Sequence, residues 1–112
     1  MLPKTKRLNI REYYSLLRNN GRNIKSANSI ILYRYTADQP TQANVVVPQK
    51  TTKSKPLRNR IRRKIMQAIT RNWSALPKNL QILIMIHNPN FAIRSDQELT
   101  AELLQQLSQL KK

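Results

Sequence analysis

Positive charge is the feature that most limits what this chain can fold into. The 112 residues include 21 lysines and arginines against five aspartates and glutamates, a formal net charge of +16. An excess of this size opposes compaction by self-repulsion unless a polyanion neutralises it, and it concentrates phosphates near the protein surface. The composition therefore predicts a protein that binds nucleic acid.

Membrane-bound and disulfide-stabilised classes fit the sequence poorly. A membrane surface would attract the same charge, but the apolar residues are needed for a core and leave no free apolar helix face to insert. No apolar run approaches the roughly 20 residues that cross a bilayer, and the N-terminus lacks the apolar segment of a signal peptide. The absence of cysteine is compatible with a reducing compartment. We expect a cytoplasmic protein without a membrane partner.

Apolar periodicity and turn residues divide the chain into alternating helices and strands. Helices are predicted over Asn9–Asn20, from Pro56 to about Asn72, and from a capping box at Ser95 onward. Strands are predicted over Ser29–Thr36, Ala43–Val47 and Leu80–His87, with a short extra strand near Arg22–Ile24. Because Leu80–His87 is almost wholly apolar, we expect it to be covered on both faces or to lie centrally in its sheet.

This order of elements indicates the fold class. With 39% hydrophobic residues, 112 residues suffice for a single domain over 1–112 with a modest core. The elements are typical of an α+β fold, here a two-layer sandwich in which a small mixed sheet packs with helices. Along Ser29–Thr36, alternation places Ile31, Tyr33 and Tyr35 on one face of the sheet and their neighbours on the other.

The segment from Lys50 to Lys64 concentrates the positive charge. It holds eight basic residues and no acid; the basic residues are Lys50, Lys53, Lys55, Arg58, Arg60, Arg62, Arg63 and Lys64. Solvated helix faces normally alternate basic residues with glutamate, so a face without acids indicates contact with phosphates, which arginine forks match well. Asn59, among them, can donate to and accept from a base edge or a ribose hydroxyl.

No arrangement for protein-based catalysis or metal binding is visible. The five acids are dispersed over helix starts, a turn and an exposed helix position: Glu12, Asp38, Asp96, Glu98 and Glu102. The single histidine, His87, is interpreted as a polar strand terminus, and Trp73 as a core anchor. Since a protein nuclease needs clustered carboxylates or a base with an orienting partner, we expect neither a catalytic residue nor a metal site in this chain.

Two motifs resemble the bacterial ribonuclease P protein family. The opening Met1-Leu2-Pro3-Lys4…Arg7-Leu8 is similar to the start of that family. Leu57-Arg58-Asn59-Arg60-Ile61-Arg62-Arg63, at the head of a helix, resembles its Arg-Asn-Arg signature. The order of elements matches as well, so the resemblance extends over essentially the whole chain. It implies a fold in which the connection between two parallel strands is left-handed, against the usual rule.

The resemblance also implies a function. Members of that family bind a catalytic RNA and assist the endonucleolytic removal of the 5′ leader from precursor tRNA. We therefore expect two partners, ribonuclease P RNA and precursor tRNA, with no protein partner required. The chemistry is expected in the RNA subunit, which would also hold most of the magnesium cofactor.

The resemblance assigns two sets of RNA-binding residues. The set expected against the RNA subunit comprises Arg58, Asn59, Arg60, Arg62 and Arg63. The set expected to hold the leader, in a cleft between the first helix and the sheet where bases can stack on rings, comprises Tyr13, Leu17, Tyr33 and Lys50. Five positions depart from the family pattern. Leu17 replaces an aromatic residue, Pro48 begins a segment where Ser-Lys-Lys is usual, and Met66 replaces a frequent arginine and is assigned no RNA contact. Val45 and Lys53 replace common glycines.

Two other classes of protein remain open from the residues alone. A ribosomal or RNA-chaperone protein would share the charge and the fold without an ordered leader cleft, and reconstitution with a ribonuclease P RNA separates the two. A DNA-binding regulator would place the basic helix in a major groove. It would need a second short helix just before Pro56, whereas Thr51–Lys55 is predicted to be a loop.

Overall fold

A four-stranded mixed sheet carries the helices of this protein. The computed structural model describes residues 3–26, 29–88 and 95–110. Within those ranges the helices are α1 (Ile10–Asn20), α2 (Lys55–Arg71) and α3 (Asp96–Leu107), and the strands are β1 (Arg22–Lys25), β2 (Ser29–Tyr35), β3 (Gln42–Val46) and β4 (Leu80–Ile86). Short 3₁₀ turns lie at Lys4–Lys6 and Trp73–Ala75. The helices and strands expected from the sequence are therefore present, with small shifts at their ends.

Strand β4 lies inside the sheet, as its apolar sequence predicted. The strand order is β1-β2-β4-β3, with β4 antiparallel to β2 and parallel to β3. Each residue from Leu80 to Leu83 is at most 1% exposed. The parallel strands β3 and β4 are joined through α2, which makes the βαβ unit for which the resemblance implies a left-handed connection. The α+β class and the mixed sheet are confirmed.

Helices cover both faces of this sheet. α2 and α3 pack on the face that carries Ile31 and Ile84, whereas α1 packs on the other face, where Leu17 meets Leu32 and Leu83. The sequence predicted two layers, the sheet and the helices on one face, and α1 adds a layer on the other face. Successive side chains of β2 point to opposite faces of the sheet, and both sets are largely apolar. α2 and α3 cover one of these apolar faces, and α1 packs on the other, where Leu17 is buried.

Side-chain caps determine where the helices begin. Asn9 Oδ1 accepts from the backbone N–H of Glu12 at 3.1 Å. Ser95 Oγ accepts from that of Glu98 at 3.2 Å, as the sequence predicted. Ser54, which the sequence pattern did not single out, caps α2 by accepting from a first-turn N–H at 3.3 Å. Each such cap typically contributes about 1 kcal/mol. The basic segment is therefore helical from its middle onward.

Tyr33 lies in the core formed with α2 and α3. It is 3% exposed, and its ring meets that of Tyr35 edge-on, with 6.3 Å between the centroids. The predicted face shared by these two tyrosines is confirmed. The expectation that Tyr33 faces a cleft beside α1 is wrong, because this side of β2 points away from α1. Burial and the neighbouring Tyr33 raise the pKa of the Tyr35 phenol above its ordinary value, and Arg22 lowers it less.

Replacing Tyr33 tests its place in the core. We expect Tyr33→Ala to lower the free energy of unfolding by about 3–5 kcal/mol, the usual cost of removing a buried aromatic ring. Urea unfolding measures this loss. Tyr14→Ala, which removes the same side chain from a half-buried position on α1, is the matched control and should lose less. Equal losses in the two variants would contradict the buried placement.

Candidate RNA-binding surfaces

The outer side of α2 presents an arginine face, defined by Asn59, Arg60, Arg62 and Arg63. All four side chains are exposed, since the buried residues of the helix lie on its other side: Ile61, Ile65, Met66, Ala68 and Ile69. Met66 is among these buried residues, so it is not part of the arginine face. No acidic residue occurs within Lys55–Arg71, so nothing in the helix neutralises this face.

The start of α2 is electrostatically unfavourable in the isolated protein. Aligned peptide dipoles place partial positive charge at a helix N-terminus, where acidic side chains normally stabilise it. The first turn of α2 contains no acid, and Lys53, Lys55 and Arg58 add further positive charge nearby. A bound phosphate would relieve this repulsion, so the arrangement favours an anionic partner.

Arg58 has a second role within the protein. It is half-buried, and its Nη1 donates to the carbonyl oxygen of Thr52 at 3.0 Å. The bond ties α2 to the loop that follows β3, in which Thr51 Oγ1 donates to the carbonyl oxygen of Ile86 at 2.6 Å. Lys50 is exposed on this loop. Arg58 and Thr51 therefore set the position of Lys50 relative to α2 and β4.

The structure does not bring together the residues predicted for the leader cleft. Leu17, on the sheet-facing side of α1, is 0% exposed, and Tyr33 lies on the opposite face of the sheet. Lys50 is exposed on the loop after β3. Tyr13 is half-buried on the α1 face, where its hydroxyl donates to Gln39 Oε1 at 3.4 Å. These four side chains do not share one surface, so a cleft beside α1 must use other residues.

Tyr13 belongs to a polar network at the end of the sheet where β2 leads into β3. The Arg34 guanidinium lies 6.0 Å over its ring, and Arg34 Nε donates to Gln81 Oε1 at 2.6 Å. Gln81, which is 0% exposed, donates through Nε2 to Gln39 Oε1 at 2.9 Å. The network satisfies the buried amide of Gln81 near the start of the inner strand β4, which gives Tyr13 and Arg34 a structural role.

A half-open apolar row lies on the same face of the sheet, away from this network. It consists of Ile30, Met85 and Val46, which the strand register places side by side on β2, β4 and β3. All three are half-buried, whereas Leu32 and Leu83, in the adjacent row, are buried beneath α1. The apolar row is therefore the part of this face that α1 leaves accessible.

Tyr14 is the aromatic residue of α1 on the side of the apolar row. Successive helical residues are about 100° apart, which puts Tyr13 and Tyr14 on either side of the buried Leu17. Tyr13 is held in the polar network, so Tyr14 falls on the other side and packs against the same apolar cluster as the row. Arg18 Nη1 donates to the Tyr14 hydroxyl at 2.7 Å. The sequence shows two adjacent tyrosines, and the polar network that holds Tyr13 decides that Tyr14 is the one beside the apolar row.

The described ranges contain no metal site, no membrane span and no short helix before α2 of the kind that a DNA-binding regulator would need. Across residues 3–26, 29–88 and 95–110, no group of three or more His, Asp and Glu side chains could hold an ion. No helix in that part of the chain is long and apolar enough to cross a bilayer. The loop over residues 47–54 contains no helix, so the helix pair expected of a DNA-binding regulator is not formed.

An acid-free arginine helix on a mixed sheet defines a small, basic α+β protein of the nucleic-acid-binding class. The family model described as Ribonuclease P matches residues 2–111. The chain belongs to the ribonuclease P protein family. It is the protein subunit of an endoribonuclease that acts in tRNA processing, and the ribonuclease P RNA is its partner.

Solved structures share the fold. The ribonuclease P protein from Thermotoga maritima matches with a TM-score of 0.83 and 21% identity, over 95% of this chain and 98% of that chain. A Staphylococcus aureus ribonuclease P protein matches with a TM-score of 0.77 and 13% identity, over 92% of this chain and 93% of that chain. No curated protein sequence matches the chain. The structural likeness therefore establishes the fold, and the family model establishes the family.

Removing two arginines from the arginine face tests its contact with RNA. We expect Arg60→Ala combined with Arg63→Ala to weaken binding to ribonuclease P RNA. The slope of log affinity against log salt should fall by about 1.4–1.8, since each phosphate contact contributes about 0.7–0.9. Filter binding over a salt series measures both quantities. Arg58 is left in place because its bond to Thr52 would confound the result.

The control for this experiment is Lys25→Ala, which removes an exposed charge from β1 at the edge of the sheet. It should change the affinity and the slope little. An unchanged slope and affinity in the double arginine variant would mean that these side chains contact only solvent.

Proposed function

We propose that this protein binds its catalytic RNA through the arginine face, and the 5′ leader of precursor tRNA through Tyr14 and the apolar row. The observation that carries the proposal is the exposed, acid-free arginine face on one side of α2. Each guanidinium fork can pair with two phosphate oxygens, and Asn59 can reach a base edge or a ribose hydroxyl. Arg58 joins this set at the start of the helix, where a phosphate would relieve the repulsion.

A single-stranded leader has free bases that can stack. Tyr14 offers a ring on α1, and the apolar row offers a surface that the helix leaves half-open. Stacking of this kind is tolerant of base sequence, which suits a subunit that serves many precursor tRNAs. Lys50, beyond the end of β3, supplies a phosphate contact. Leu17 packs beneath this surface, whereas Tyr33 lies in the core on the other face of the sheet.

We assign the hydrolysis to the RNA subunit. A protein nuclease needs a carboxylate cluster for metal ions or a general base with an orienting partner. Glu12 and Glu98 lie in first turns of helices, and Asp38 is exposed in the turn after β2, so the described acids do not fit a metal cage. Magnesium would then be held mainly by the RNA. The +16 charge of the protein would neutralise phosphates that magnesium otherwise screens.

RNA partners are sufficient for this proposal. In the described ranges Leu104 is the one large apolar side chain that is exposed, at 39%, so no extended apolar patch there calls for a protein partner. One domain over residues 1–112 would carry both RNA contacts. The complex would act in the cytoplasm, where bacterial precursor tRNA is made.

Reconstitution tests the proposal directly. Mixed with a bacterial ribonuclease P RNA, the protein should allow cleavage of precursor tRNA at the mature 5′ end at a magnesium concentration where the RNA alone is inactive. The physical reason is that its basic groups replace part of the phosphate screening. The double variant Arg60→Ala with Arg63→Ala should need more magnesium for the same rate.

Two outcomes of this experiment would contradict the proposal. Failure of the protein to stimulate any bacterial ribonuclease P RNA would argue for a ribosomal or chaperone role. Metal-dependent cleavage by the protein alone, abolished by Asp38→Asn, would move the chemistry from the RNA to the protein.

Replacing Tyr14 tests the leader surface. In the assembled enzyme, Tyr14→Ala should weaken precursor tRNA binding by roughly 5- to 100-fold, because a stacked base typically contributes about 1–3 kcal/mol. Mature tRNA has no leader, so its affinity should barely change, and Tyr14→Phe, which keeps the ring, should behave like the wild type. Binding assays with both tRNAs measure the difference. Equal losses for precursor and mature tRNA would remove Tyr14 from the leader surface.

A further inference from the structure

A basic groove lies beyond the C-terminal end of α2. We call it the Trp73 groove; it has a volume of about 590 Å³, and its lining includes Lys6, Thr41, Trp73, Pro77 and Lys78. α2 has 17 residues, which corresponds to roughly 25 Å at about 1.5 Å per residue. The groove is therefore separate from the basic start of the helix.

The side chain at the centre of the groove is the single tryptophan of the chain. Trp73 begins the 3₁₀ turn after α2, is half-buried, and packs against the core under α2 and α3. Lys6 Nζ lies over the indole, 5.2 Å from its centroid. An ammonium on a partly exposed ring is only weakly held, so a planar ligand can displace it and occupy the ring.

Hydrogen bonds between two turns give the groove fixed walls. Thr41 Oγ1 donates to the carbonyl oxygen of Pro77 at 2.6 Å, and Asn79 Nδ2 donates to the carbonyl oxygen of Gln39 at 2.7 Å. Asn79 has a φ of 60°, in the left-handed region that asparagine tolerates. The turn before β4 is thus locked, and Lys78 is held at the rim, so little ordering is needed when a ligand binds.

The charge of the groove is entirely positive. Lys6 and Lys78 are exposed at its rim, and none of its lining residues is Asp or Glu. A ring flanked by cations is the arrangement that proteins use to bind single-stranded nucleic acid without strong sequence preference. An acidic peptide would satisfy the lysines but leave the ring without a planar partner.

A second groove adjoins the first. It has a volume of about 630 Å³, its lining includes Lys4, Arg7 and Tyr13, and it shares Pro40 with the Trp73 groove. The 3₁₀ turn Lys4–Lys6 contributes residues to both. A single strand that passes Pro40 can therefore reach Trp73 without crossing the arginine face.

We propose that Trp73, Lys6 and Lys78 form a second contact for single-stranded RNA. One base stacks on the indole, the Lys6 ammonium moves from the ring to a phosphate, and Lys78 binds a neighbouring phosphate. The source of this RNA rests on the proposed function: it is either the distal part of a tRNA leader or an unpaired loop of the catalytic RNA. Both present the same chemistry, an unpaired base between phosphates.

The fluorescence of the single tryptophan reports on this groove alone. Titration of the full chain with oligoadenylate should quench the emission, because a stacked base contacts the indole directly. RNA duplex and polyglutamate should leave the emission unchanged. The anisotropy of a labelled oligonucleotide follows binding independently. Bound oligoadenylate without quenching, or equal quenching by polyglutamate, would overturn the proposal.

Two variants separate RNA contact from core packing. Lys6→Gln combined with Lys78→Gln alters exposed positions only, and should lower the salt slope for oligoadenylate by about 1.4, for two single-strand phosphate contacts. Trp73→Leu keeps an apolar side chain for the core and removes the stacking ring, so it should weaken binding by roughly 5- to 100-fold. Urea unfolding is measured for both.

Each of the two variants has an outcome that would overturn the proposal. A Trp73→Leu protein with wild-type stability and unchanged affinity for oligoadenylate would make Trp73 a core residue and overturn the proposal. If Trp73→Leu is less stable, the lysine variant decides, and an unchanged slope and affinity there would overturn the proposal as well.

Three RNA ligands identify which RNA binds the Trp73 groove. They also test this contact separately from the proposed function. They are precursor tRNA with a short leader, precursor tRNA with a long leader, and ribonuclease P RNA alone. Quenching by the long leader alone assigns the groove to the leader, and quenching by ribonuclease P RNA assigns it to that subunit. Cleavage of the short-leader substrate by the reconstituted enzyme reports the proposed function. Normal cleavage without quenching by any of the three ligands would overturn the proposed RNA contact at the Trp73 groove and leave the proposed function intact.

Discussion

Strand β4 takes part in both hydrophobic cores, and the rest of the structure depends on its burial. Ile82 and Ile84 pack toward α2 and α3, while Leu83 packs toward α1. In a chain with 21 basic and five acidic residues, most charges have no opposite partner available, so apolar burial must supply most of the stability. With the apolar side chains of β4 inside, the surfaces of α1 and α2 are left to polar and charged groups.

The few acids are too few to balance the basic residues, and two of them lie at helix starts. Glu12 and Glu98 occupy first turns, where they favour the helix dipole. The arginine face and the start of α2 therefore keep their mutual repulsion until an anion binds. A ligand that binds the folded state stabilises it by mass action, by about 2.7 kcal/mol at a concentration of 100 times Kd. Under the proposed contact, RNA bound at the arginine face would also relieve this repulsion.

Features that depend on neighbours in the sequence were predicted well, and features that depend on distant surfaces were not. The cap at Ser95 and the alternation along β2 involve residues a few positions apart, and both are confirmed. The arginine face follows from helical periodicity in the same way. No local pattern indicates on which face of the sheet α1 packs. That choice of face determines that Tyr33 lies away from α1 and that Tyr14 lies beside the apolar row. The bond from Arg58 to Thr52 depends on the path of a loop, which periodicity does not predict.

The position of β4 also determines when the sheet can form during translation. β2 and β3 follow one another in the chain but are not neighbours in the sheet, because β4 lies between them. As a ribosome produces the chain, these strands and the arginine face emerge before the strand that joins them. Such non-local pairing delays folding and leaves the nascent segment exposed. The basic segment therefore leaves the ribosome before the strand that completes the sheet has been made.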